Sequence, residues 1–410
     1  MSTTSIANTK DETLREVIEA TGRYRYHIKY EGVKISHMLH VLVAQHQLGA
    51  SDNRLREIAD ILGEKLEPAH TKDPSHEPIT HDTWQTLMGK QIRFIELAEF
   101  FDKELDDRFN GDKKALLVEY LPQLIDGMSA IATHGIIHLG YALRSPSKQS
   151  IADALALMVF SYKTLGHMNA NKHQIIEDNE SSIDPYVGCN ELVQLLKFVQ
   201  KDAVDLAVRV TEESGGKSLY GYFSRHMSVL HSHPEVQEKL QSYARRITTI
   251  ERVRDNQLMG LSHALSVACL LAYDGTISEP DNFFLLHGVT SSWALREVLR
   301  YLKDEINPTL LRSILYAHVL TILAVYIIED MPDITLRNGQ MPLFNIHSDD
   351  NNNSDLPNWS DIIKLAIASD DDHLPKLVFS CYEDEEHYGV PIPNVYRLTS
   401  ARKVGLLEWN

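Results

Sequence analysis

Apolar side chains recur along this chain at the spacing of an amphipathic helix. Leu14, Val17 and Ile18 stand at i, i+3 and i+4. The spacing returns in Leu55-Ile58-Ala59-Leu62, in Ile92-Ile95-Ala98 and in Leu192-Leu195-Leu196-Val199. Strand-like alternation bounded by turn residues is scarce. Breaks fall at Glu67 to Pro78, Ser145-Pro146-Ser147, Asp184-Pro185, Ser214-Gly215-Gly216 and Ser278 to Asp281. The run from Ile314 to Ile328 is apolar on every side around His318, which predicts a buried helix too short to span a bilayer.

These patterns predict an all-α fold, a single large multi-helix domain over residues 1–410. Flexible loops are expected at about 67–80 and 345–358, the second carrying the acidic, Asn-rich run Asp349 to Asn353. That run lacks the alternation of a calcium loop. Val390-Pro391-Ile392-Pro393 suggests an extended tail over about 388–410. No internal repeat is visible.

Composition narrows the functions. A hydrophobic share of 43% suffices for a core, and a formal charge of −17 argues against nucleic acid and anionic membranes as partners. Three cysteines without a CxxC spacing give neither a disulfide framework nor a zinc ribbon, so a reducing, cytoplasmic location is expected. The first residues carry no apolar signal segment. No G-x-G-x-x-G follows a strand, and Ser214-Gly215-Gly216-Lys217-Ser218 has the wrong spacing for a phosphate-binding loop.

Chemistry concentrates in apolar helical stretches that carry histidine. His37 and His40 are an i, i+3 pair, and His134 and His138 an i, i+4 pair with Gly135 and Gly140 between and beside them. Those glycines allow close approach of a neighbouring helix or a ligand. His287 precedes the small polar run Gly288-Val289-Thr290-Ser291-Ser292, which can line a pocket with hydroxyls. His318 lies inside the most apolar helix, and His373 stands three residues before Lys376. A single buried histidine is usually satisfied by a backbone carbonyl; several on apolar faces suggest convergence on a transition-metal ion, giving a central buried metal site. His70, His76, His81, His231, His233 and His347 lie in polar surroundings and read as surface. Lys376 is ordinarily a lysine at a helix start; buried and neutral, its amine can take up carbon dioxide and become an anionic oxygen ligand. Among the acids, Glu31 and Asp372 lie nearest these motifs in sequence. Tyr141, Trp293 and Tyr316 are aromatic candidates for a pocket wall.

The same segments carry a resemblance. His37-Met-Leu-His40 with Leu48-Gly49-Ala50, His134-Gly-Ile-Ile-His-Leu-Gly-Tyr-Ala142, Leu285-Leu-His-Gly-Val-Thr-Ser-Ser-Trp-Ala-Leu295, and Asp371-Asp372-His373 with Lys376 resemble the questin oxidase-like family, in its order. Ser36 and Asp372 depart from the Asn and Glu of that pattern. The resemblance implies a helical oxygenase using O2 on an aromatic or quinone-type small molecule of secondary metabolism, by carbon–carbon cleavage or Baeyer–Villiger-type oxygen insertion. It implies a non-haem Fe(II) held by His37, His134, His287, His318 and a carboxylated Lys376. His40, His138 and His373 would then be catalytic, with Tyr141, Thr290 and Trp293 along the substrate. Alternatives are a metal-dependent hydrolase, an NADPH-dependent Baeyer–Villiger monooxygenase without tightly bound flavin, and a non-catalytic helical scaffold.

Overall fold

The computed structural model describes residues 3–167, 187–247, 267, 269–270, 273, 282–334, 356–389 and 394–408. Among them the fold is all-α, apart from one short hairpin. The first helices are α1 (Thr3–Ala20), α2 (Met38–Gln47), α3 (Asp52–Gly63), α4 (Phe94–Lys103) and α5 (Lys113–Leu124). Next come α6 (His134–Arg144), α7 (Gln149–Ser161), α8 (Val187–Asp202), α9 (Val204–Glu213), α10 (Tyr222–Ser232) and α11 (Pro234–Ala244). The last are α12 (Phe283–Leu302), α13 (Pro308–Ile328), α14 (Trp359–Ala368), α15 (Leu374–Tyr388) and α16 (Val395–Lys403). The hairpin pairs β1 (Lys29–Tyr30) with β2 (Lys34–Ile35), turning through Glu31 and Gly32 at positive φ.

Local sequence explains where the long helices begin. Asn282, Asn307 and Asn358 cap α12, α13 and α14 by accepting from Leu285 N, Leu310 N and Asp361 N, and Pro308 sits in the first turn of α13. The Asp371 carboxylate accepts from His373 N at 2.6 Å and Leu374 N at 2.8 Å, so it starts α15. Four helices then close a ring: α2 against α6, α6 against α12, α12 against α15, and α15 back against α2. The tightest contact is between α6 and α12. A Cβ placed on Gly140 would stand 2.5 Å from Ala294 Cβ and 2.6 Å from its Cα, so only glycine admits this approach. A buried ion network fixes the same helices. Arg144 of α6 meets Glu297 and Glu383 at 2.5 and 2.7 Å, and Arg296 of α12 meets Asp384 of α15 at 2.5 Å.

Three expectations are corrected here. The helix near residue 92 starts at Phe94, because Gln91 and Arg93 are left-handed, and Ile92 is exposed. The C-terminal segment is not an extended tail throughout: Val395 to Lys403 is helical, and Val395, Tyr396 and Ala401 are buried there. Its prolines at 391 and 393 lie outside the described residues, as do most of the loop 345–358 and the breaks at 184–185 and 278–281. The apolar helix around His318 starts six residues before Ile314, at Pro308, so α13 is long and apolar enough to cross a membrane; 89% of its apolar window is buried inside the protein. Residues 69–80 form no helix or strand.

Candidate metal centre

The ring of helices brings four histidines together. His37 is the residue before α2, His134 opens α6, His287 lies in the second turn of α12, and His373 precedes α15. Ring centroids lie 4.9 Å apart for His37 and His134, 4.7 Å for His134 and His287, 5.3 Å for His287 and His373, and 4.5 Å for His373 and His37. All four side chains are buried.

Their hydrogen bonds share one arrangement. His37 Nδ1 meets Asp372 Oδ2 at 2.8 Å, and His373 Nδ1 meets Asp372 Oδ1 at 2.7 Å. His287 Nδ1 faces Phe283 O at 2.6 Å, and His134 Nδ1 faces Ile131 O. Carbonyls and an ionised carboxylate only accept, so each Nδ1 carries its proton and each Nε2 keeps a free lone pair. His37 Nε2 and His134 Nε2 are nevertheless 2.7 Å apart. Two lone pairs at that distance repel unless a cation or proton lies against them. His287 Nε2 and His373 Nε2 are buried without a hydrogen-bond partner. One nitrogen each from His37, His287 and His373 lies within 4.8 Å of the others, a spacing that a single metal ion spans. Metal-binding imidazoles hold their second N–H on a carboxylate or carbonyl in this way.

Charge agrees with geometry. Burial, with Lys376 second, pushes His37 down to about 3. Burial, followed by neighbouring histidines, holds His134 and His287 well below the ordinary range, so all three are neutral at pH 7. Burial opposes ionisation of Asp372, but His37 and His373 override it and hold the carboxyl well below its usual range. Lys376 is buried; desolvation lowers it to about 8 against the pull of Asp372 and Asp371.

Three consecutive left-handed residues, Ile131, Ala132 and Thr133, precede His134 at φ of 42°, 52° and 65°. Such backbone costs roughly 1–2 kcal/mol per residue for side chains with a Cβ. The turn brings the Ile131 carbonyl onto the His134 ring.

A cavity of about 360 Å³ opens beside these histidines. The buried His37, His134 and His373 and the half-buried Asp372 line it together with Tyr30, Ile131, Ala132, Tyr222, Phe223, Phe283 and Phe284. The Phe283 ring lies 4.6 Å from His287 and 4.3 Å from His373.

The other candidates sit elsewhere. His318 bonds Ser291 Oγ at 3.0 Å through Nε2 and makes no ring contact with the four among the described residues. His40 Nε2 lies 3.1 Å from His138 Nδ1, one layer behind His37 and His134. Tyr141 stacks on His40 at 5.2 Å and meets Trp293 at 4.6 Å; both are buried and neither lines the cavity. Thr290, Ser291 and Ser292 spend their hydroxyls on carbonyls of their own helix. Tyr316 is buried in α13. Of the histidines expected at the surface, His231 is half-buried, its Nε2 3.0 Å from Ser129 Oγ. Sequence reasoning assigned no role to Asp372 or Phe283. Asp372 adjoining His373 was the available signal for the first, and Phe283 at i−4 from His287 for the second.

No curated protein matches the chain. The model of the questin oxidase-like family matches residues 36–381, from the residue before His37 to seven beyond Leu374, and so takes in all four histidines. With that span of its 410 residues matched, the chain belongs to the questin oxidase-like family, whose members are oxidoreductases.

Proposed function

We propose that the protein is an oxygenase of aromatic, polyketide-type small molecules, working at an iron ion held by Nε2 of His37, His134, His287 and His373. One observation carries the reading: four buried imidazoles have each tied Nδ1–H to an acceptor and left Nε2 unprotonated, with nitrogens of His37, His287 and His373 within 4.8 Å of one another and His134 Nε2 2.7 Å from His37 Nε2. His373 takes the place expected for His318, which is engaged with Ser291. Imidazole donors suit iron, zinc and copper alike, and the oxygenase chemistry of the family favours iron. A bound Fe(II) supplies activation of dioxygen.

The chain's own groups supply the rest. Asp372 fixes the tautomer and orientation of two imidazoles at once and places a negative charge against the ion's positive charge. Lys376, with its amine eased toward neutrality, can add carbon dioxide: the N–C bond forms, a proton leaves, and the carbamate becomes an anionic oxygen donor. The aromatic walls take up a planar substrate and exclude water from its reacting face. His40 and His138, hydrogen-bonded to each other behind the centre, hold a proton one layer from the reaction.

Elemental analysis of anaerobically purified protein tests the reading, with wild type beside His287→Ala and Lys376→Ala. Roughly one iron per chain is expected in wild type and much less in both variants, with helical circular dichroism retained. A folded wild type without any transition metal would overturn the iron reading.

A further inference from the structure

We infer that the cavity selects aromatic molecules bearing an anionic group, which Lys65 binds at the mouth while Phe283 and Phe284 hold the ring system near His373. The inference rests on the reading of this cavity as the substrate site and adds which substrates enter it.

Two lysines line the cavity, and they are not equivalent. Lys34 is neutralised by Glu31 at 2.8 Å, and Glu31 also accepts from Tyr220 at 3.0 Å. Lys65 is exposed and forms no ion pair with another described residue. Its exposed ammonium is therefore an uncompensated charge on the lining of a space whose walls are largely aromatic. The Tyr222 hydroxyl is already committed to Glu329 at 3.1 Å, so it does not compete for a polar substituent.

Lys65 also stands on a fixed platform. It lies two residues beyond the end of α3, and the next residues are tied to the start of the fold. His27 N donates to Glu67 O at 2.8 Å, Glu31 N donates to the Glu67 carboxylate at 2.8 Å, and Tyr26 bridges Pro68. The backbone from which Lys65 reaches is thus held against the hairpin that precedes His37.

Two probes that share a ring system test this: anthraquinone-2-carboxylate and 2-(hydroxymethyl)anthraquinone. Their affinities are measured by calorimetry on the protein as purified, on Lys65→Met and on Lys65→Glu, at low and high salt. Wild type should favour the carboxylate by about fivefold at low salt, the scale of one partly exposed ion pair. Lys65→Met should abolish that preference through loss of carboxylate binding, and Lys65→Glu should reverse it. A preference that survives in Lys65→Met overturns the inference; if a chelator then removes it, the metal holds the anion. Equal binding of both probes by wild type also overturns it, while leaving the aromatic cavity intact. Binding of neither probe would reject the cavity as the substrate site, and this inference with it.

Discussion

Asp372 is the residue on which the centre turns, because its two oxygens orient imidazoles from opposite ends of the chain. An amide cannot do the same work: in Asp372→Asn one of the two imidazoles meets an N–H donor instead of an acceptor. That ring must flip or exchange its proton, and its Nε2 then no longer faces the common space as an acceptor. Metal affinity is expected to fall roughly 10- to 100-fold while the fold is retained. Competition with a chromophoric chelator, with circular dichroism as control, reads both; unchanged affinity would show that Asp372 does not set the tautomers. The left-handed turn before His134 is the counterpart in the backbone. Ile131 is β-branched and held at φ 42°, a conformation that costs energy and persists here where it delivers a carbonyl to a site imidazole.

Among the elements, α6 and α12 set the tolerance of the centre. Gly140 touches Ala294 two turns beyond His134 and His287, so separating these helices displaces both imidazoles. Gly140→Ala is expected to destabilise the protein by about 1–3 kcal/mol, the cost of overpacking, and to reduce metal content alongside. Adding Ala294→Gly should restore part of both, measured as urea midpoints and bound metal; no rescue would mean that the close approach is not the cause. This contact was legible in the sequence, since paired glycines in an apolar helix already pointed to a near neighbour. The helices themselves were legible wherever period and caps agreed. The start of α4 was not, because the left-handed residues Gln91 and Arg93 leave no mark on an apolar pattern. Nor did the pattern show which histidine of each pair faces inward. His37 and His134 rather than His40 and His138 reach the other rings through the geometry of helix starts, and periodicity is silent there.

For the molecule as a whole, buried neutral histidines set a limit in acid. Burial lowers His138 to about 4 and His318 to about 3, below the ~6.5 of an unfolded chain. Below that value the unfolded state binds protons that the folded state refuses. Stability is therefore complete above pH ~6.5 and falls as pH drops toward 4, by about 1.4 kcal/mol per pH unit for each group. Thermal midpoints that do not fall between pH 7 and pH 5 would contradict this sign. The sequence conveyed the burial of these histidines through their apolar neighbours; it could not convey that His318 turns to Ser291 instead of the centre, since both choices leave the same pattern.

His37 and Asp372 meet across 335 residues of chain. During synthesis, then, the early histidines wait: His37, His134 and His287 leave the ribosome well before Asp372 and His373, which complete their surroundings. A chain stopped short of residue 372 would lack both the carboxylate and the fourth imidazole of the cluster. The fold thereby makes the arrangement of its early histidines depend on a segment made hundreds of residues later.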